Sequence, residues 1–337
     1  MNPSPTPIIW IDWDRHLRSR TLARRLAVEL LEIRVCGSRI RRYLISVIRT
    51  TAAIRKTRPA IVIATNPSLV LALLALVLRS WYGFVLVSDA HYLGVRALRG
   101  HSLLQRLLDF YNSKADLVIV TNANHAKYVA SQGGRTYICP DPLPDLATPA
   151  HRTVAVPPKS VFLVCSFDED EPYEAAFAAF SHLRERGFAS FVSGNYSKAR
   201  IDPADFPWVH FLGFVREDEY YSYLRSCAVI VDLTTLEDCL VCGAYEAFAA
   251  GKPLVISKTR TLGAYFGSAA VLTDNTPEAI VESVELAHLQ RHDLAGKVTG
   301  WIATNEVYMS EQISKLRAEL CALRGLPADG PHRHVIS

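Results

Sequence analysis

The sequence predicts an α/β protein of two domains, each built as a parallel sheet covered by helices. The chain has 337 residues, more than one ordinary hydrophobic core organises. Short apolar runs alternate with longer helical segments, which is the pattern of strand–helix–strand units in parallel sheets. A proline-rich stretch divides that pattern in two. Hydrophobic residues make up 50% of the chain and charged residues 21%, a composition that excludes a disordered protein.

In the first half, apolar runs predict six strands and amphipathic segments predict five helices. The strands are residues 8–12, 31–35, 60–64, 84–88, 117–121 and 136–139. The helices are residues 18–30, 38–56, 68–81, 103–114 and 124–132. A stiff connection without helix or strand then follows, because it contains Pro140, Pro142, Pro144, Pro149, Pro157 and Pro158.

After the prolines the same alternation restarts. Its strands are residues 160–165, 189–193, 209–212, 229–233, 254–257 and 270–273. Its helices are residues 173–186, 217–226, 242–250, 277–289 and 311–323. We therefore expect an N-terminal domain over residues 1–145, a C-terminal domain over 158–305, and a terminal helix over 306–325, for which a return to the N-terminal domain is one option. A cleft between the carboxyl ends of the two sets of strands would be the ligand site.

One uncharged stretch, residues 59–78, reaches the length of a membrane span. Because Thr65, Asn66, Pro67 and Ser68 interrupt it, we interpret it as a buried strand, a turn and a helix that Ser68 caps. The first six residues lack the apolar core of a signal peptide, and seven scattered cysteines do not form a disulfide framework. A cytoplasmic location is expected.

Charge is distributed unevenly between the two halves. Residues 1–150 hold 20 Lys and Arg against 9 Asp and Glu, and 13 of those basic residues lie between Arg15 and Arg58. This excess fits an anionic membrane surface, and hence a peripheral location at the inner face of the membrane, or a phosphorylated acceptor. Solvated helix faces explain it equally well. Nucleic acid is not expected, because the stretch lacks interleaved aromatic residues and any known binding module.

The strongest motif is EDCLVCGAYEAFAAGKPLVIS, residues 237–257. Its two carboxylates, Asp238 and Glu246, are separated by seven residues. The predicted helix that contains Glu246 ends at Gly251, and Pro253 follows it before the next strand. The opening of that helix offers unpaired N–H groups and a positive dipole end, which suit a diphosphate. A carboxylate in the loop before the helix can accept hydrogen bonds from sugar hydroxyls. A second carboxylate, past the first helical turn, can reach a ribose. The motif predicts a nucleotide-sugar pocket.

This motif resembles the signature of the retaining family-four glycosyltransferases of the GT-B fold, whose two Rossmann-like domains face each other across a cleft. The resemblance extends more weakly over nearly the whole chain, and it makes the C-terminal domain the donor side and the N-terminal domain the acceptor side. It implies that Asp238 binds the transferred sugar and Glu246 the ribose. It further implies that the backbone of Cys239, Leu240 and Val241 contacts sugar hydroxyls and phosphate. The family usually has Glu where this chain has Asp238.

Other interpretations of the same motif are weaker. Glu237 is a neighbouring candidate acid, but its spacing is off by one. Solvated helix charges would explain the acid pair without a ligand. Cys239 and Cys242 form a Cys-x-x-Cys, yet no second ligand pair at zinc-site spacing exists, so packed small residues are the better interpretation.

Polar residues follow three further predicted strands. Asp89 and His91 come at the end of the strand 84–88, where the family delivers a His to the sugar site, and Asn66 follows the preceding strand at a similar edge. We interpret His91 as catalytic, and Asp89 and Asn66 as candidate residues on the acceptor side. A purely structural His is the alternative.

Asn195 and Lys198 follow the strand 189–193, after Gly194, where they could hold phosphate oxygens; an ordinary turn is equally plausible. The chain departs from the family in two loops. Trp13–His16 replaces a Gly-rich turn, and acidic residues 168–171 stand where the family usually presents Arg and Lys. We expect the helix opening near Cys242, with Lys198 and Arg216, to hold the diphosphate without metal or another cofactor. The alternative is a divalent metal that bridges the acidic residues to the phosphates.

The sequence thus predicts a glycosyltransferase that moves a sugar from a nucleotide-sugar donor, with retention, to a polysaccharide, lipid-linked or small glycoside acceptor. The alternatives are a nucleotide-sugar epimerase and a catalytically silent partner of a transferase or membrane. A dinucleotide-dependent oxidoreductase is disfavoured, because no Gly-x-Gly-x-x-Gly occurs in the chain.

Overall fold

The structure is a computed structural model, and it describes residues 8–66, 68–96, 102–146 and 154–325. The chain divides into two compact units. Unit 1 contains the residues up to Pro142 and those from Val307 onward, and unit 2 contains Leu143–Glu306. Each unit is built around one six-stranded sheet.

The sheet of unit 1 is entirely parallel, with strand order β2-β1-β3-β4-β5-β6. Its strands are β1 (Ile8–Asp12), β2 (Glu29–Glu32), β3 (Ile61–Asn66), β4 (Val85–Ala90), β5 (Leu117–Val120) and β6 (Thr136–Ile138). The helices that cover it are α1 (Leu17–Leu26), α2 (Arg39–Thr57), α3 (Leu69–Tyr82), α4 (Tyr92–Val95), α5 (Ser102–Lys114) and α6 (Ala123–Ser131).

The sheet of unit 2 is also parallel, with strand order β12-β11-β10-β7-β8-β9. Its strands are β7 (Ser160–Leu163), β8 (Ala189–Ser193), β9 (Val209–Gly213), β10 (Val229–Asp232), β11 (Leu254–Ser257) and β12 (Val271–Thr273). Its helices are α7 (Tyr173–Glu185), α8 (Glu217–Ser226), α9 (Cys242–Ala249), α10 (Arg260–Phe266), α11 (Pro277–Leu289) and the start of α12 (Arg291–Leu323).

The inner strands β3, β5, β7 and β10 are fully buried because helices cover both faces of each sheet, and they are correspondingly rich in Val, Ile and Leu. The edge strands β2, β6, β9 and β12 are partly exposed.

All twelve predicted strands are present, eleven of them with differences of at most two residues at each end. The second strand was predicted over residues 31–35 but covers Glu29–Glu32, because the first helix, predicted over 18–30, already ends at Leu26. The uncharged stretch 59–78 is β3 followed by α3, as predicted. No helix in the described ranges is both long and apolar enough to cross a membrane. Pro149 lies outside the described residues, and the other linker prolines lie outside helices and strands.

The last helix was predicted over too short a range. Instead of residues 311–323 it covers Arg291–Leu323, a length of 33 residues. Gly296 and Gly300 weaken the helical signal in its first half. Packing offsets that weakness, because Leu294 and Val298 are buried in unit 2. Farther along, four buried residues pack in the core of unit 1: Met309, Ile313, Leu316 and Leu320. The short helices α4 and α10 were not predicted.

Candidate functional site

The acid pair of the motif lies at the carboxyl end of β10. Asp238 is partly buried in the loop after that strand, and Glu246 is in the second turn of α9. The phenol of Tyr220, on α8, donates a hydrogen bond to Glu246 Oε2. Burial raises the pKa of Glu246 to about 7, against the opposing effect of that hydrogen bond. The side chain is therefore oriented and close to half ionised at neutral pH.

The neighbouring acid, Glu237, has a different partner. Its Oε1 accepts from the backbone N–H of Arg260 at 2.8 Å and from Arg260 Nε at 3.3 Å. Because Arg260 opens α10, this carboxylate lies at a helix N-terminus, where negative charge is favourable. Glu237 thus contacts the start of α10, whereas Asp238 is partly buried in the loop that precedes α9.

Beneath the motif lies a buried acid that the sequence did not single out. Asp232 ends β10 and is 4% exposed, and its buried Oδ2 atom has no hydrogen-bond partner among the described residues. Burial, and then the nearby charges of Glu171 and Glu246, raise its pKa well above the usual range. A Cβ on Gly243 would lie 2.6 Å from Asp232 Oδ2, so the glycine permits this close approach. The helix opening predicted to hold a diphosphate therefore lies against a buried internal acid.

The acidic loop after β7 also binds its own anion. The carboxylate of Glu171 accepts from the backbone N–H of Ser166 at 3.0 Å and from that of Asp168 at 2.8 Å. Between them, Phe167 adopts a left-handed conformation with φ +59°, which lets these two amides converge. The loop has the geometry of an anion site, and Glu171 occupies it.

The predicted phosphate-binding side chains have partners of their own. Lys198 Nζ forms an ion pair with Asp168, and Arg216 Nη2 pairs with Asp218 at 2.8 Å. Both pairs are substantially exposed to solvent, so their electrostatic contribution is small. Asn195 is exposed. Gly194 has φ +97°, and its close neighbour is the carbonyl oxygen of Cys165, which a Cβ would approach to 2.0 Å. Gly194 therefore permits close packing of its backbone against the Cys165 carbonyl, which belongs to the same protein chain and not to a phosphate ligand.

The residues between Asp238 and Glu246 form the end of the loop after β10 and the first turn of α9. Cys239 and Leu240 are partly buried against the core of unit 2, and Val241 immediately precedes the helix. Neither cysteine of the Cys-x-x-Cys forms a disulfide within the described residues. Among the described residues, no group of three or more His, Cys, Asp or Glu side chains is arranged to hold a metal ion.

In unit 1, a buried ion pair supports the carboxyl end of β4. Asp89 is fully buried and accepts from Arg18 Nε at 3.0 Å and from Arg18 Nη2 at 2.9 Å. The same guanidinium donates to the Cys139 carbonyl at 3.0 Å and pairs with Asp141. It thus ties together the carboxyl ends of β4 and β6.

Asn66 ends β3 and is fully buried as well. Its Nδ2 donates to the Gly94 carbonyl at 3.1 Å, and a Cβ on Gly94 would lie 2.7 Å from the Asn66 carbonyl oxygen. These contacts fix the turn that follows His91. Asn66 and Asp89 are both fully buried, and their contact with an acceptor stays a prediction.

His91 lies immediately after β4 and precedes α4. Its Nε2 atom is buried and has no hydrogen-bond partner within the described part of the chain. Burial lowers the pKa of His91, so the imidazole is neutral at pH 7. Its ring lies edge-on to that of His16, with 5.8 Å between centroids.

His16 belongs to a pair that sequence reasoning missed. Its Nδ1 lies 2.9 Å from Asp12 Oδ1 and 2.8 Å from Asp12 Oδ2. The hydrogen bond that His16 donates to the Asp12 carboxylate raises the pKa of His16. Burial acts to raise the pKa of Asp12, but its contact with His16 leads the effects that hold this pKa below its usual value. The signal available in the sequence was an Asp and a His four residues apart at the end of the first strand. These residues occupy the segment that departs from the Gly-rich turn of the family.

Two six-stranded parallel sheets with flanking helices constitute a GT-B fold of two Rossmann-like domains. Solved structures share this fold over nearly the whole chain. A sucrose-phosphate synthase from Thermosynechococcus elongatus is 16% identical, with a TM-score of 0.74 over 94% of this chain and 99% of that one. HepE from Anabaena, solved with UDP-glucose, is 12% identical, with a TM-score of 0.69 over 93% and 99%. A protein assigned as a UDP-N-acetylglucosamine 2-epimerase from Listeria monocytogenes is 12% identical, with a TM-score of 0.63 over 96% and 98%. No protein-family profile matches the sequence. No curated protein matches it either.

Proposed function

We propose that this protein is a glycosyltransferase that uses a nucleotide-sugar donor and retains the anomeric configuration. The observation that carries the proposal is the arrangement of Asp238 and Glu246 at the carboxyl end of β10, with Glu246 oriented by Tyr220. The GT-B fold supports it, and a neighbour of that fold is solved with UDP-glucose. We infer a UDP-sugar as the first donor to test.

Within this proposal, Asp238 binds hydroxyls of the transferred sugar and Glu246 binds the ribose. The backbone of Cys239, Leu240 and Val241 contacts the sugar and phosphate. Because the buried acid Asp232 lies against Gly243 at the opening of α9, the diphosphate relies on the preceding loop. Lys198 and Arg216 supplement that loop after leaving their exposed acidic partners.

This arrangement needs no metal ion. We expect Lys198→Ala to weaken donor binding and to slow transfer, because one compensating positive charge is lost as the leaving diphosphate gains negative charge. EDTA should leave activity unchanged. Activity that disappears with EDTA and returns with Mg²⁺ would instead assign the acidic loop after β7 to a metal.

His91 is proposed to lie near the anomeric carbon and to stabilise charge that develops there. Its neutral imidazole and unpartnered buried Nε2 support this role, since a buried polar atom without a partner is costly unless it is used. We expect His91→Ala to lower kcat far more than it raises the KM for the donor. A variant with normal kcat would make His91 structural.

Helix α2 supports the proposal of an anionic membrane surface. Ile40, Leu44 and Ile48 recur every four residues, hence on one face, and are 81%, 59% and 58% exposed. Exposed arginines flank this face, which is the composition of a helix that lies on a lipid surface. Binding to vesicles that contain phosphatidylglycerol should fall steeply with added salt, and it should also fall in the variant Leu44→Gln. Absence of binding at low salt would leave α2 a solvated face.

A second candidate function, nucleotide-sugar epimerisation, is favoured by the structural likeness to an epimerase. Product analysis separates the three possibilities. A transferase releases free nucleoside diphosphate in proportion to glycosylated acceptor, and proton NMR should show the configuration of the donor retained. An epimerase yields an isomeric nucleotide sugar without acceptor. A silent partner yields neither product.

A further inference from the structure

A cavity of about 520 Å³ opens in unit 1 beside the Asp12–His16 pair, outside the residues assigned above to the donor. One of its sides is the start of α2, which contributes Arg39, Arg42 and Tyr43. The other side follows β1 and contributes Trp13 and His16, among others. The cavity therefore combines cationic and aromatic side chains.

Its two guanidinium groups are available to a ligand. Arg39 and Arg42 are exposed, and within the described ranges neither forms an ion pair or a hydrogen bond through its side chain. This differs from the other arginines at the edge of the sheet, since Arg18 pairs with Asp89 and Arg20 with Glu32. Guanidinium groups without a carboxylate partner suit a phosphate, which they bind through paired N–H donors.

The acids of the cavity do not cancel this charge. The Asp12 carboxylate already accepts from His16, from Ser19 Oγ at 2.7 Å and from the Asp14 backbone N–H at 3.0 Å. Because Asp12 raises the pKa of His16, the imidazole carries positive charge over a wider pH range and can donate from Nε2. Asp14 is exposed at the rim. Positive charge therefore predominates in the cavity.

The aromatic side chains define the rest of a ligand. Trp13 Nε1 donates to Thr50 Oγ1 at 2.9 Å, which fixes the indole against α2. The ring of Tyr43 lies 6.2 Å away at an angle of 48°. Two adjacent aromatic faces provide apolar surface for the C–H groups of a sugar or polyol, while polar neighbours satisfy its hydroxyls.

We infer that this cavity binds the acceptor, and that the acceptor is a sugar or polyol that carries a phosphate group. Arg39 and Arg42 hold the phosphate, His16 donates to an oxygen of the ligand, and Trp13 and Tyr43 contact its carbon skeleton. The assignment as an acceptor rests on the proposed glycosyltransferase function. The phosphate belongs either to a free compound or to a lipid headgroup, since both present the same chemistry to α2.

Binding of glucose 6-phosphate, with glucose as its uncharged counterpart, tests this inference by ligand-observed NMR. The double variant Arg39→Gln/Arg42→Gln should weaken binding of glucose 6-phosphate at least about tenfold, because two charge-assisted contacts are lost. The matched control is Arg49→Gln/Arg55→Gln, which removes the same charge from exposed positions of α2 outside the Arg39/Arg42 cluster and should leave binding unchanged. Glucose should bind much more weakly than its phosphate.

Vesicles of phosphatidylcholine mixed with phosphatidylinositol form the second arm. A loss of vesicle binding that is larger for the Arg39/Arg42 variant than for the control identifies a lipid headgroup as the phosphate source. Selectivity confined to glucose 6-phosphate identifies a free acceptor. The inference is overturned if neither probe binds the wild type, or if both double variants lose binding equally. UDP binding is measured in parallel, because its absence in the wild type would contradict the proposed function without altering the result for the cavity.

Discussion

The two sheet edges of this protein hold their buried acids in different ways. In unit 1 the carboxylate of Asp89 is neutralised by the buried guanidinium of Arg18. In unit 2 the carboxyl group of Asp232 has no cationic partner among the described residues, and the carboxylate of Glu171 accepts from backbone N–H groups. Hydrogen bonds from amides lower a carboxyl pKa, but they do not cancel a full charge as a guanidinium does.

The consequence is a difference in protonation. In unit 1 the pKa of Asp12 is lowered, whereas in unit 2 the pKa values of Asp232 and Glu246 are raised, first by burial. Unit 1 therefore presents a fixed pattern of charge at its edge. Unit 2 presents two acids for which burial favours the protonated form, Glu246 with a pKa of about 7, and a bound diphosphate would add negative charge beside them. We expect the stability of the unit 1 edge to depend mainly on its buried cation. We expect ligand binding at the unit 2 edge to depend mainly on pH and on backbone geometry.

The largest effect should follow from breaking the ion pair of unit 1. Arg18→Met leaves Asp89 buried without a partner and should destabilise unit 1 by about 3–5 kcal/mol. The matched control is Arg20→Met, which breaks the partly exposed pair with Glu32 and should cost about 1 kcal/mol or less. Hydrogen exchange of amides in β3 and β4 measures both values. Equal small losses would show that the buried pair does not support this edge.

A backbone substitution should have the next largest effect, in unit 2. Gly194→Ala would place a Cβ against the Cys165 carbonyl at a residue with φ +97°, so the loops after β7 and β8 must separate. We expect a loss of about 2 kcal/mol or more, and weaker donor binding. Gly251→Ala is the control, since φ is +67° there but no atom lies within 4 Å of the added Cβ, and it should cost about 1 kcal/mol. The same loss at both positions would show that the contact with Cys165 adds nothing to the effect of φ.

The sequence predicted most of the fold because strands and helices leave local signals. Residues 189–193 and 254–257, for example, are strands with the predicted bounds. The spacing of Asp238 and Glu246 was also a local signal. The partners of these residues were not, since Tyr220 and Glu246 are 26 positions apart and Arg18 and Asp89 are 71 apart. The first half of α12 was missed because Gly296 and Gly300 hide a helix that packing stabilises.

A smaller effect is expected from pH at Glu246. Because its pKa is about 7, raising the pH from 6 to 8 converts most of the acid to carboxylate, which accepts hydrogen bonds from ribose hydroxyls. The affinity for UDP-glucose should rise by up to about tenfold across this range. Tyr220→Phe removes the hydrogen bond that lowers the pKa and should move the midpoint to higher pH. Calorimetric titration at several pH values measures the midpoint, and a flat profile would place Glu246 away from the donor.

The central claim is that Asp238, and not Glu237, binds the sugar of a nucleotide-sugar donor. Release of nucleoside diphosphate from a panel of donors, followed in the wild type, Asp238→Ala and Glu237→Ala, tests it most directly. The account predicts that Asp238→Ala costs about 2–3 kcal/mol in kcat/KM, because charge-assisted hydrogen bonds are lost in the transition state. Glu237→Ala should cost much less, since Glu237 contacts Arg260. Equal losses at the two positions, or no release by the wild type from any donor, would contradict the account.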